Sequence, residues 1–289
     1  MSGMAFLGND GLVYIEQKVL VGFLTEQLKS AFLEDYFSGC TEPERERVND
    51  DLQAAVAFCS ELDDGHPREV SFGEIPDRHA EHLQKVRSAP MFQNLIGTAA
   101  YRFAMADLRE VIAVQPNVGL EAMGSKSFPI NPSDEEIVNL CLPYGHPFEL
   151  QVTVAQNQVT FSGFDNNLNG VGIAHQPGGL PTLFPGSRGN WVQVAVCQGR
   201  LFLLNGYHRV VKLLAAGVSE IPCIVRDFAL PEQMGFGQGR FFPLQYLMGA
   251  TRPPLIRDFA SPAAIRLPAK RMRTTMVATL QVTPLSVPG

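Results

Sequence analysis

The feature that most constrains the fold is a strand–turn–helix–strand unit over residues 200–228. The apolar run Leu201–Leu204 predicts a buried strand, and Gly206 just after it lets the backbone approach a ligand closely. A helix with one apolar face follows. It is expected to end at Gly217, in the left-handed conformation that glycine favours, before the β-branched run Ile221–Val225. We therefore expect an α+β or α/β protein in which this helix joins two strands.

The turn that begins this helix has the properties of an anion site. The first backbone N–H groups of a helix have no partner inside the helix, and they lie at the positive end of its dipole. A phosphate or a carboxylate is the expected occupant of such a turn. His208 and Arg209 add side-chain donors, and Lys212 follows one helical turn later on the same side. The candidate phosphate-binding residues are Asn205, Gly206, Tyr207, His208, Arg209 and Lys212.

Residues 201–228 resemble the ParB/sulfiredoxin-like superfamily, also described as ParB N-terminal domain-like nucleases. Its members carry a strand, a Gly-x-(His/Arg)-Arg turn and a helix ending in Gly before an Ile-Pro-x-x-Val strand, and the turn here is Gly206-Tyr207-His208-Arg209. In that superfamily the turn holds the phosphates of ATP or CTP, so the resemblance implies a nucleotide site. Tyr207 stands where sulfiredoxins have their catalytic cysteine, and the acidic residue and second arginine of the partition proteins are missing from the turn. Both departures argue against those two branches.

A fainter match covers Tyr101–Asn117, which is similar to the opening strand and Asp-Leu turn of the same superfamily. The resemblance implies that Asp107 or Glu110 faces the nucleotide, as a Mg²⁺ ligand or as a general base. The alternative is that Asp107 caps a short helix and Glu110 is solvated. The long separation between this segment and the turn implies an insertion at about residues 120–195.

Three regions are expected along the chain. Residues 1–90 form an N-terminal helical region, with helical periodicity over Leu24–Tyr36 and after the capping box that begins at Thr41. Residues 91–230 form the ParB/sulfiredoxin-like domain, a mixed sheet with helices, whose insertion contains a hairpin near Phe148–Phe161 and a long loop over 163–189. Residues 231–289 form a partly β C-terminal extension, either a terminal strand or an arm on another subunit.

Charge is distributed unevenly. Residues 200–289 carry 11 basic and 4 acidic side chains, whereas residues 1–100 carry 8 basic and 17 acidic ones. The basic segment, with Lys270, Arg271 and Arg273, suits either a nucleic acid or the acidic part of the same chain. The net charge of −6 argues against sequence-independent DNA binding.

Composition narrows the cellular setting. The five cysteines form no Cys-x-x-Cys pair, which is typical of reduced thiols rather than a disulfide framework. Neither a signal peptide nor an apolar stretch of membrane-spanning length is recognisable. We therefore expect a cytoplasmic protein with no membrane partner.

Three functions stay open. The first is phosphoryl transfer or hydrolysis with ATP or CTP, in which the turn holds the phosphates and Mg²⁺ bridges to Asp107 or Glu110. The second is a binding or assembly module that keeps the anion turn without any chemistry. The third is a nuclease or DNA-binding relative of the partition proteins.

Overall fold

The structure is a computed structural model, and its helices and mixed sheets confirm the predicted α+β class. The chain divides into two compact units, residues 1–144 with 190–271 and residues 145–189 with 272–289. In the described part of the chain, no helix has the length and apolar character needed to cross a bilayer. The described residues are 6–7, 13–26, 29–30, 33–34, 41–62, 71–96, 99–120, 128–144, 151–155, 158–163, 168–174, 182–187, 189–235, 242–249, 252–270 and 274–279.

The bounds of the elements are as follows. The described strands are β1 (Phe6–Leu7), β2 (Val13–Val19), β3 (Arg102–Asp107), β4 (Val111–Ala113), β5 (Asn117–Gly119), β6 (Gln151–Ala155), β7 (Gln158–Gly163), β8 (Leu168–Ala174), β9 (Thr182–Ser187), β10 (Gln193–Cys197), β11 (Arg200–Asn205), β12 (Glu220–Phe228), β13 (Ile265–Lys270) and β14 (Thr274–Thr279). The described α-helices are α1 (Glu42–Ser60), α2 (Ala80–Ser88), α3 (Pro90–Leu95), α4 (Asp134–Cys141), α5 (Tyr207–Ala215) and α6 (Leu244–Met248). Short 3₁₀ helices cover Val21–Phe23, Asp77–His79, Pro231–Met234 and Ile256–Ala260.

The five-stranded sheet of the first unit has the order β3-β12-β10-β11-β4. Only Leu108–Glu110 connect β3 to β4, although these two strands form its opposite edges. Four consecutive Cα–Cα steps reach about 14 Å at most. Five flat strands would hold the two edges about 19 Å apart. The sheet is therefore curved, so that its edges approach each other.

Helix α5 packs through an apolar face and sets the position of the turn before it. Val210 and Leu213 are fully buried, and Val211 is nearly so. Burial of each such side chain contributes about 1.5–3 kcal/mol. The helix ends as predicted, because Gly217 adopts a left-handed φ of 84° just after it. The predicted strand–turn–helix–strand order over residues 200–228 is thus present.

A second sheet in the same unit contains a strand that the expected N-terminal helical region did not include. Strand β2 lies between β1 and β13 and also pairs with β5. The polar Gln17 occupies a buried position of β2 between the charged Glu16 and Lys18, so the apolar–polar alternation that predicts a strand is broken there. Of the helix predicted over 24–36, only residues 24–26, 29–30 and 33–34 lie within the described residues.

The second unit is built from antiparallel pairs. Strands β6 and β7 form the predicted hairpin, and β14 pairs with the other side of β7. The stretch 163–189, predicted as a long loop, contains the paired strands β8 and β9. Its many glycines and prolines favoured a loop, but pairing of the two segments outweighs that local preference.

Candidate anion-binding turn

Glycine is required at position 206 for two separate reasons. Gly206 has φ 102° and ψ 14° at the N-cap of α5, a left-handed conformation that strains other residues. A Cβ atom at this position would also lie 2.8 Å from Cγ2 of Val192. The sharp change from β11 to α5 therefore depends on the missing side chain.

The side chain of Asn205 stabilises the turn through two hydrogen bonds. Its Nδ2 donates to the carbonyl of Trp191 at 3.0 Å, and its Oδ1 accepts the N–H of Gly206 at 2.9 Å. The N–H of Gly206, which the sequence predicts as a ligand donor, is thus used inside the loop. The N–H groups of Tyr207 and His208 follow it in the first helical turn, where no intrahelical acceptor exists.

Tyr207 is a buried anchor. Its hydroxyl donates to the carbonyl of Leu203 at 2.9 Å and accepts the N–H groups of Val114 at 2.6 Å and Gln115 at 3.2 Å. Burial raises the pKa of Tyr207 far above its ordinary value, so the hydroxyl keeps its proton and its donor role. The side chain ties the start of α5 to β11 and to the segment after β4.

Arg209 is also directed into the protein. The residue is 3% exposed, and its Nη1 donates to the carbonyls of Leu140 at 2.9 Å and of Asn190. Leu140 lies in the last turn of α4, where a positive charge also interacts favourably with the helix dipole. The guanidinium thus joins α5 to α4. Arg209 precedes the buried Leu213 by one helical turn, and this i, i+4 spacing on the apolar face was the sequence signal for its burial.

His208 and Lys212 are the two candidate side chains on the outer side of α5. His208 is exposed and Lys212 is half-buried, with Nζ 5.8 Å from the ring centroid of Phe128. The Nε2 of His208 lies 3.2 Å from where a Cβ on Gly119 would be, so Gly119 makes room for the ring. Burial, and then the charges of Lys212 and Arg209, lower the pKa of His208 to about 4. His208 keeps some exposed surface, so water offsets part of the effect of burial on its pKa. Because the pKa is lowered, the imidazole is uncharged at neutral pH.

Asp107 and Glu110 lie away from this turn. Asp107 forms a two-point ion pair with Arg109, and its Oδ1 also accepts the backbone N–H of Arg109 at 2.9 Å. This is an Asx-type turn, close to the capping role that was the alternative prediction. Glu110 is half-buried, and its N–H donates to the carbonyl of Asp107 at 3.1 Å.

The strand register fixes where this acidic turn lies relative to α5. Asp107 pairs with Glu220, and the N–H of Leu108 donates to the carbonyl of Ser219 at 2.7 Å. Both partners come just after the C-terminal end of α5, whereas Gly206 lies at the N-terminal end. A helix of nine residues is about 14 Å long. The structure therefore directs the side chains of Tyr207 and Arg209 inward, contrary to their predicted role as phosphate ligands. It leaves Asp107 and Glu110 near the other end of the helix.

Comparison of the chain with protein-family models, curated proteins and solved structures finds no match. Within the described residues, no group of three or more His, Cys, Asp and Glu side chains is arranged to hold a metal ion. Of the basic residues near the C-terminus, Lys270 is exposed, and Arg271 and Arg273 lie outside the described residues.

Proposed function

We propose that the turn at Gly206 binds the phosphate of a nucleotide or of a related small anion. The observation that carries this proposal is the outward-facing edge of α5. The exposed residue His208 and the half-buried Lys212 lie on this edge one helical turn apart, next to the first-turn N–H groups of Tyr207 and His208, which have no intrahelical acceptor. An anion in this position would meet N–H donors, the positive end of the helix dipole and one ammonium group.

The buried half of the turn supports the same function indirectly. Tyr207 and Arg209 fix the backbone through hydrogen bonds to five backbone groups. A backbone held in one conformation loses little entropy when a ligand binds, which favours affinity. The resemblance to the ParB/sulfiredoxin-like superfamily, whose turn holds ATP or CTP phosphates, points to a nucleotide as the ligand.

The geometry favours a binding module over phosphoryl transfer at this turn. Phosphoryl transfer uses metal ions and a residue that orients or deprotonates the nucleophile next to the transferred group, a role that Asp107 or Glu110 was predicted to fill. Asp107 and Glu110 are near the opposite end of α5, and Asp107 is paired with Arg109. Binding that does not depend on Mg²⁺ is therefore the form of the proposal that we put forward.

Isothermal titration with ATP and CTP, each with and without Mg²⁺, tests the proposal. We expect binding without Mg²⁺, weakened about tenfold by Lys212→Gln because a charge-assisted contact is lost. Lys270→Gln is the matched control, since it removes an exposed lysine elsewhere in the same unit. Absence of binding by both nucleotides, or equal binding by Lys212→Gln, would overturn the proposal.

A turnover assay separates the binding module from the enzyme. We expect no release of phosphate from ATP or CTP in the presence of Mg²⁺. Hydrolysis that Asp107→Asn abolishes while nucleotide affinity is kept would restore the enzyme hypothesis, because such a result requires the carboxylate beside the phosphate.

A further inference from the structure

A groove with a volume of about 360 Å³ lies beside the edge strand β3. This volume falls within the range of small-molecule sites. Its lining is mostly apolar and includes two arginines. The main lining residues are Phe72, Ile75, Leu83, Arg87, Arg102 and Phe103.

The backbone at the groove offers an unused edge of the sheet. Gly73 and Met105 exchange two backbone hydrogen bonds. The N–H of Gly73 donates to the carbonyl of Met105 at 3.1 Å, and the N–H of Met105 donates to the carbonyl of Gly73 at 2.9 Å. Met105 therefore directs its N–H and C=O away from β12. Residues two apart on a strand point these groups the same way, so the N–H and C=O of Phe103 face the groove edge. Among the described residues they have no hydrogen-bond partner, because the chain leaves the strand edge after Gly73.

Both arginines of the groove rest on aromatic rings. The Cζ of Arg87 lies 5.0 Å from the ring centroid of Phe103, and the Cζ of Arg102 lies 4.9 Å from that of Phe72. A guanidinium stacked on a ring keeps its in-plane N–H donors available to a planar anion. Arg102 is also paired with Asp227, whereas Arg87 has no ion pair in the described part of the chain.

We infer that this groove binds a small organic carboxylate with an aromatic or aliphatic body. The carboxylate would accept two N–H donors of Arg87 and the backbone N–H of Phe103, and the body would lie on the apolar wall. A planar carboxylate matches the guanidinium fork in a two-point contact, which a neutral amide of the same shape does not. Glu74 also lines the groove and adds one negative charge. Because Arg102 is already paired with Asp227, Arg87 is the group that we expect to favour anions.

The test uses benzoate and its neutral counterpart benzamide, with the backbone amide signal of Phe103 followed by NMR in the full-length protein. We expect benzoate to shift this signal and benzamide to bind at least about tenfold more weakly. Arg87→Gln should weaken benzoate about tenfold. Arg226→Gln is the matched control, since Arg226 stacks on Phe228 at 5.0 Å outside the groove, and it should leave binding unchanged.

Several results would overturn the inference. These are no binding of benzoate, equal binding of benzoate and benzamide, equal binding by the wild type and Arg87→Gln, or a shift that leaves the Phe103 amide unchanged. Arg87 is exposed on α2, so its substitution leaves the core intact and the folded variant can be measured.

Discussion

Two chain reversals next to α5 carry the polar residues that the sequence predicts as functional, and they are held in place in different ways. At the Gly206 turn, Tyr207 and Arg209 are buried and bonded to backbone groups. At the turn after β3, Asp107 is bonded to Arg109, whose side chain is 56% exposed. Arginines in two turns of one sheet thus have opposite roles. Arg209 stabilises the fold from a buried position, whereas Arg109 forms an ion pair at the surface.

The largest expected effect is the loss of Arg209. Arg209→Ala leaves the carbonyls of Leu140 and Asn190 without their donor in a buried position and removes packing, which should cost about 4 kcal/mol of unfolding free energy. Arg109→Ala is the control in the other turn, and its denaturation midpoint should stay close to that of the wild type. Urea unfolding of both variants measures this. Equal destabilisation by the two substitutions would show that Arg209 stabilises the fold no more than Arg109 does.

Gly206→Ala should cost about 3 kcal/mol, because the left-handed conformation and the contact with Val192 add together. Gly217→Ala is a matched control, since Gly217 is also left-handed, with φ 84°, but a Cβ there meets nothing within 4 Å. That control should cost about 1 kcal/mol. Thermal unfolding monitored by circular dichroism distinguishes the two. Similar losses would mean that the contact with Val192 is relieved by a small shift.

Tyr207→Phe should cost about 2 kcal/mol, because the N–H groups of Val114 and Gln115 lose their acceptor in a buried position. The ring is kept, so the packing of α5 is not altered. Hydrogen exchange should become faster at the amides of these two residues more than elsewhere in the sheet. Unchanged exchange at both amides would show that water replaces the hydroxyl.

The smallest effect concerns Asp107 and the pH. The side-chain hydrogen bond from Arg109 is the main cause that lowers the pKa of Asp107 below its ordinary value of 3.8. The pair therefore stabilises the fold above that pH, and the contribution is lost as the pH falls through the lowered pKa. Water screens this exposed pair, so we expect less than about 1 kcal/mol. Asp107→Asn should remove that part of the acid-induced loss of stability, measured by urea unfolding between neutral pH and pH 3. An acid response identical to that of the wild type would show that the pair contributes nothing.

Local structure was predictable where neighbours in sequence determine it. Leu201–Leu204, Gly206 and Gly217 predict the strand, the turn and the helix end, because apolar periodicity and glycine conformation act over a few residues. The direction of the side chains was harder to predict. Arg209 carries the charge expected of a phosphate ligand, yet its place on the apolar face of α5 sends it inward.

Features that depend on distant pairing could not be predicted. The position of Asp107 follows from the register of β3 with β12, which pairs it with Glu220. Strand β2 pairs over Tyr14–Val19 with β13, at the other end of the chain, and only its first two residues pair with the neighbouring β1. Similarly, β8 and β9 form strands by pairing with each other, although their glycines and prolines favour a loop. The groove beside β3 arises from residues on three separate segments.

The most direct test of the account follows the backbone amides of both turns by NMR while ATP or CTP is added without Mg²⁺. We predict that the signals of Tyr207 and His208 shift in a saturable way and that those of Asp107 and Arg109 do not. The reverse pattern, with shifts at Asp107 and Arg109 and none at Tyr207 and His208, would contradict it.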